Sequence, residues 1–164
     1  MIRKLTILAV SIILSASALE ARSKVLSRDA VRTELKSHSI FRSELRDNRY
    51  ILPNGEWLQQ SLIPFYVAYA QQNLAPALGN DSMSSGLCKV FQSIMYQANI
   101  RGGGSRKGDV PVGVAMTRTK GDSDIRHHVI IRTQEGWSII DPNDGQLASL
   151  DSFKATNDII RVAI

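Results

Sequence analysis

Near residue 101 the spacing of apolar residues changes, and that change limits what the chain can fold into. Before it, Phe91, Ile94, Met95 and Ala98 recur at intervals of three and four, which is one face of an amphipathic helix. After it, Val110, Val112, Val114 and Met116 alternate with Pro111, Gly113, Ala115 and Thr117, the pattern of a half-buried strand. Gly102, Gly103 and Gly104 separate the two regimes. No strand precedes these glycines and no helix follows, so they read as a flexible connection rather than a phosphate loop. Two further strands are expected over His128–Thr133 and Gly136–Ile140, joined by Gln134-Glu135-Gly136, and a last one over Asp158–Ile164. Helices first and an antiparallel sheet second make the class α+β.

The region before the first helix is less regular. Lys24 to Asp47 carries Val25, Val31, Leu35, Ile40, Phe41 and Leu45 at uneven spacing, and reads as one or two outer helices. His38 lies there between serines and reads as a solvated side chain. Pro53-Asn54-Gly55 supplies turn chemistry. Pro64 interrupts the apolar stretch from Trp57 to Leu74. Because proline is tolerated only in a first turn, a helix is expected to begin near Ile63, after a separate turn around Trp57.

The N-terminus has the layout of a secretory signal peptide. Arg3 and Lys4 precede a largely apolar run from Leu5 to Leu14, and Ala16-Ser17-Ala18 offers a cleavage site. The run is shorter than the roughly 20 residues of a membrane-spanning helix, so no stable span is expected after cleavage. The expected organisation is a signal peptide over 1–18 and a single domain over 19–164, periplasmic or secreted. Removing Arg3 and Lys4 takes two charges off the formal +5, and the remaining cations form no block, so nucleic acid is not an expected partner.

Cys88 is the only cysteine. An exported chain with one thiol forms no internal disulfide. Ser84, Ser85 and Gly86 read as cap residues, which places Cys88 in the first helical turn, where free N–H groups and the helix dipole favour thiolate. Downstream come His127 and His128 on a strand and Asp141 at the end of the next. A thiol, an imidazole and a carboxylate supply a nucleophile, a base and an orienting group. One rival use of Cys88, His127, His128 and Asp141 is a metal site, but adjacent strand histidines point to opposite faces, and no Cys-x-x-Cys or His-x-x-x-His spacing is present. The other rival is a non-catalytic interaction domain in which Cys88 is a buried packing residue.

Gly86-Leu87-Cys88 with Phe91 and Ala98-Asn99-Ile100 resembles the Cys helix of transglutaminase-like proteins, within the papain-like cysteine peptidases. His127-His128-Val129-Ile130-Ile131 and Gly136-Trp137-Ser138-Ile139-Ile140-Asp141-Pro142 are similar to that superfamily's His strand and Asp-Pro strand. The resemblance covers Gly86 to Gly145. It implies N-terminal helices with the Cys helix packed on an antiparallel sheet. It also implies an exported cysteine hydrolase, a thiol protease or amidase, that works through an acyl-enzyme on a protein or peptide substrate with no cofactor or metal. Transamidation is the alternative outcome. Cys88 would be the nucleophile, one of the paired histidines the base and Asp141 the orienting group. The Trp that transglutaminases carry two residues after the histidine is replaced here by Val129 or Ile130. A three-residue loop at Gln134–Gly136 puts His127 on the face of Asp141, whereas a two- or four-residue loop puts His128 there. The sequence favours His127 and keeps His128 as the alternative base.

Overall fold

The computed structural model describes residues 24–101 and 108–164. The expected signal peptide and the three glycines lie outside the described residues. Strand β1 (Val25–Ser27) leads into helix α1 (Arg28–Ser37), then β2 (Ser43–Glu44) and β3 (Arg49–Ile51). Helix α2 (Gly55–Trp57) runs through a π-helical turn, Leu58–Leu62, into α3 (Ile63–Asn73). Helix α4 (Ser84–Arg101) is followed by β4 (Val112–Thr119), β5 (Ile125–Arg132), β6 (Trp137–Ile140), β7 (Leu147–Ser149), α5 (Leu150–Thr156) and β8 (Asn157–Ala163).

Local chemistry sets these boundaries. Ser27 caps α1 by accepting from the Ala30 N–H at 3.2 Å, and Val31 and Leu35, one turn apart, face inward. Asn54 of the expected turn caps α2, accepting from the Trp57 N–H at 2.9 Å. Pro64 falls at the start of α3, where its missing N–H costs nothing. The charged stretch expected as one or two helices holds one helix and two short strands. His38, expected to be solvated, lies with Nδ1 3.0 Å from the Asp151 carboxylate.

The main sheet has six strands in the order β2-β8-β4-β5-β6-β7. Every pair is antiparallel except β2–β8, which is parallel. Strands β1 and β3 form a separate antiparallel pair. Strands β4 and β8 run so close that a Cβ on Gly113 would lie 2.0 Å from the Ala163 carbonyl oxygen, so glycine is required there.

Side chains alternate across this sheet, giving two cores. On one face Cys88, Phe91 and Met95 of α4 pack with Leu62, Tyr66 and Ala70 against Val112, Val129, Ile131 and Ile140. On the other, Val31, Leu35 and Leu150 cover Ala115, Ile130, Ile139 and Val162. The molecule is therefore a three-layer α/sheet/α arrangement of α+β class, with α3 and α4 on one side and α1 and α5 on the other.

Candidate functional site

The expected catalytic residues are placed by two local decisions, where α4 begins and how long the β5–β6 loop is. Ser84, expected as a cap, is already helical, so Cys88 is the fifth residue of α4 rather than part of its exposed end. There it joins the apolar stripe of Leu87, Phe91 and Met95 and is fully buried. Burial first, and then the charge of Asp141, push its thiol up to about 12, against a slight opposing pull from its own backbone hydrogen bond. At neutral pH this sulfur is a protonated packing atom.

The β5–β6 loop settles which histidine shares a face with Asp141. Arg132 pairs with Trp137, so the loop is the four residues Thr133–Gly136. It is held by the Thr133 N–H donating to the Gly136 carbonyl at 2.9 Å and the Gln134 N–H donating to the Pro53 carbonyl at 2.9 Å. Glu135 accepts from the Gly55 N–H at 2.9 Å. Continuing the register from Val129–Ile140 sets His128 opposite Asp141. His127 looks toward α4 and lines a cleft with Ser85, Lys89 and Gln92. His128 and Asp141 line a small cleft on the other face with Ile139 and Phe153.

Each group has its own local partners. The Ser84 hydroxyl donates to the Asp81 carbonyl at 2.7 Å, accepts from the His127 backbone N–H at 3.3 Å and lies 3.5 Å from His127 Nδ1. Burial, then the nearby Lys89 charge, lower the pKa of His127. His128 Nδ1 lies 2.9 Å from Thr117 Oγ1, and its ring meets Phe153 edge-on with centroids 5.0 Å apart. Burial lowers the pKa of His128 despite the opposing charge of Asp141. Asp141 accepts from the backbone N–H and side-chain amide of Asn143 at 2.8 and 3.0 Å, which closes the Asp-Pro-Asn-Asp-Gly turn. Tyr66 clamps the same turn by donating its hydroxyl to the Pro142 carbonyl at 2.6 Å. Among the described residues no hydrogen bond joins Cys88 to either histidine, or either histidine to Asp141. Nor, among them, does any group of three His, Cys, Asp or Glu side chains have the geometry to hold a metal ion.

No family model matches this chain, and no curated protein does. Its fold is similar to that of solved structures that include a lectin. One, described as "PSL1a-E64 complex", aligns with a TM-score of 0.59 at 11% identity over 85% of this chain and 50% of that one. Another is the Polyporus squamosus lectin bound to Neu5Aca2-6Galb1-4GlcNAc, with a TM-score of 0.57 at 10% identity over 85% of this chain and 49% of that one. The chain spans about half the length of these structures, and at such identities the likeness speaks for the fold alone. It corrects the expectation from the sequence: the likeness is to structures that include a lectin, and neither is described as a transglutaminase-like or papain-like cysteine peptidase. The assignment to that family and fold, and the cysteine hydrolase and thiol protease activity drawn from it, are set aside with it. The α+β class remains.

One feature of the surface was not read from the sequence. A cleft of about 540 Å³ runs between α3 and α4. Leu62, Val90, Ile94 and Ala98 form its bed, Phe65 and Tyr69 one wall, and Lys89, Ser93, Gln97 and Arg101 the other. The two rings stack with centroids 6.5 Å apart and an interplanar angle of 27°. Lys89, Ser93, Gln97 and Arg101 follow one another at intervals of four, a polar stripe beside the apolar one, and that spacing was the available signal. Among the described residues no helix is long and apolar enough to cross a membrane.

Proposed function

We propose that this chain is a non-catalytic binding domain whose ligand surface is the cleft between α3 and α4. The observation that carries the reading is the burial of Cys88 together with the placing of Asp141 beside His128 rather than His127. Cys88 is sealed in one core with its thiol protonated, His127 opens toward α4, and His128 lies with Asp141 on the opposite face. Nucleophilic catalysis needs nucleophile and base within hydrogen-bond reach and the base oriented by a third group, and here each group is committed elsewhere.

The cleft lining suits an acidic saccharide. The stacked rings of Phe65 and Tyr69 offer an apolar face to a sugar ring, Ser93 and Gln97 offer donors and acceptors to hydroxyls, and Lys89 and Arg101 offer charge to a carboxylate. Among the described residues no carboxylate lines the cleft. The lectin of similar fold was solved with a trisaccharide ending in Neu5Ac, an acidic sugar. That ligand belongs to that protein, and it defines the first compound to test here.

Calorimetric titration with that trisaccharide and with its neutral disaccharide portion tests the reading. Binding of the acidic sugar, weakened about tenfold by Tyr69→Ala or Arg101→Gln, is expected on the scale of one stacking or charge-assisted contact. No binding of either saccharide overturns the ligand class. Turnover of a peptide or amide that disappears in Cys88→Ala overturns the non-catalytic reading itself.

A further inference from the structure

The turn Pro53-Asn54-Gly55 contains the one asparagine in the sequence that is followed by glycine. That pair is chemically reactive. The Gly55 backbone nitrogen can attack the side-chain carbonyl carbon of Asn54, and a residue without a side chain leaves the approach open. A bond from that nitrogen to Cγ closes a five-membered imide. The bond from Cγ to the side-chain nitrogen breaks, and ammonia leaves with the proton that Gly55 gave up. Water then adds to one of the two imide carbonyls, which leaves aspartate at position 54 or its β-linked isomer, isoaspartate.

Both halves of the pair are fixed by the fold. Asn54 caps α2, with Oδ1 accepting from the Trp57 N–H at 2.9 Å. Gly55 lies against Glu135, whose Oε2 accepts from the Gly55 N–H at 2.9 Å and would stand 2.5 Å from a Cβ at that position. The neighbouring Gln134 N–H donates to the Pro53 carbonyl at 2.9 Å. Two hydrogen bonds therefore pin this turn to the β5–β6 loop, and one of them requires glycine.

The same contacts hold the reaction off. The imide ring needs the Gly55 nitrogen and the Asn54 Cβ eclipsed about the Cα–C bond, which an L residue reaches only at strongly negative ψ. Asn54 is extended, with φ −72° and ψ 130°. The attacking species is the deprotonated nitrogen, and its N–H points at Glu135 rather than at Cγ. A carboxylate there also repels the negative charge that deprotonation creates. We propose that Asn54-Gly55 is a self-modification site held closed by Glu135, and that isoaspartate formed there frees the start of α2 from the β5–β6 loop. Isoaspartate carries an extra methylene in the backbone, which displaces both the cap and the two pinning bonds. Helix α2 continues through Leu58–Leu62 into α3, so the release begins at one end of the layer that carries Phe65 and Tyr69. The site itself is independent of the saccharide reading.

Incubation of the chain at pH 8, native and in urea, with mass spectrometry of the peptide that contains Asn54, tests it. Deamidation in urea should run at least about tenfold faster than in the native chain, the scale of one hydrogen bond to a charged group. In the native chain Glu135→Ala should raise the rate about tenfold on the same scale. Glu135→Gln should raise it less, because the amide oxygen still accepts from Gly55. Gly145→Ala, which strains the fold elsewhere, should leave the rate unchanged. In the isolated isoaspartate product, hydrogen exchange at the Gly55 and Gln134 N–H groups should quicken. Equal rates in urea and in the native chain overturn the proposal. So does Glu135→Ala without acceleration, and a slower Glu135→Ala would make the carboxylate a base instead of a guard. Acceleration by Gly145→Ala as large as by Glu135→Ala overturns it too, since global unfolding would then be the gate. Unchanged exchange at Gly55 and Gln134 overturns the release of α2.

Discussion

Raising the pH should unfold this protein through Cys88. Burial, then the Asp141 charge, hold the thiol at about 12 against an ordinary value of 9.0. A group whose folded pKa is raised binds more protons folded than unfolded at any pH between the two values. Stability from this source is complete below pH 9 and falls as pH rises toward 12. The slope approaches 1.36 kcal/mol per pH unit. The expected loss is therefore about 1 kcal/mol at pH 10 and about 3 kcal/mol at pH 11. Tyr96 is pushed to about 12 by burial and the charge of Asp109, and titrates in the same window, so the wild type alone cannot isolate the thiol. Cys88→Ala can. It loses about 1 kcal/mol of packing at pH 7 and carries no titrating group. Urea unfolding of both proteins at pH 8, 9, 10 and 11 should show the wild type's advantage shrinking and then reversing. A gap that stays constant from pH 8 to 11 refutes the reasoning. So does a native thiol that iodoacetamide alkylates at pH 7 as fast as a free cysteine.

Three other substitutions probe what holds the two sheet faces. Glu34 of α1 accepts from Arg132 Nε at 2.7 Å and from Trp137 Nε1 at 3.0 Å; burial raises its pKa, but Arg132 and then Trp137 outweigh that and hold it below the usual carboxylate value. Glu34→Gln should cost about 2 kcal/mol in urea unfolding at pH 7, and the cost should fade as pH falls through the folded pKa, because a lowered carboxyl stabilises only when ionised. His128 responds to acid in the same direction but nearer neutrality: its folded pKa is lowered by burial, so protonation favours the unfolded chain and stability should drop below about pH 6.5; His128→Gln should flatten that part of the melting profile. Gly145 sits at φ 77°, and a Cβ there would lie 2.7 Å from Ile63 and Val67, so Gly145→Ala should cost about 2 kcal/mol by thermal melting, and a neutral result would show that α3 gives way.

Elements with a long uniform period were legible in the sequence. The interior of α4 and the run of β4 carry repeats of 3.6 and 2 over enough residues to be unambiguous. The three-residue strands β1 and β3 and the two-residue β2 carry no period at all. Their existence depends on partners far along the chain: Val25 with Ile51, and Ser43 with Val162. The parallel β2–β8 pair at the sheet edge follows from no local pattern, which is why the sheet read as wholly antiparallel.

The site was misread for a sharper reason, since order along a chain says nothing about which side of a layer a residue occupies. Ser84, Ser85 and Gly86, read as caps, are already helical, so Cys88 leaves the first turn and joins a buried stripe that packs with Val129 and Ile140. Lengthening the β5–β6 loop by Thr133 alone exchanges His127 for His128 opposite Asp141. Thr133 leaves the ladder because its N–H and hydroxyl both donate to the Gly136 carbonyl, a local preference that hydropathy does not encode. An earlier helix start and a loop longer by one residue thus bury Cys88 in a core and pair Asp141 with His128 rather than His127. The polar stripe Lys89, Ser93, Gln97 and Arg101 lies on the open side of α4, along the cleft with α3.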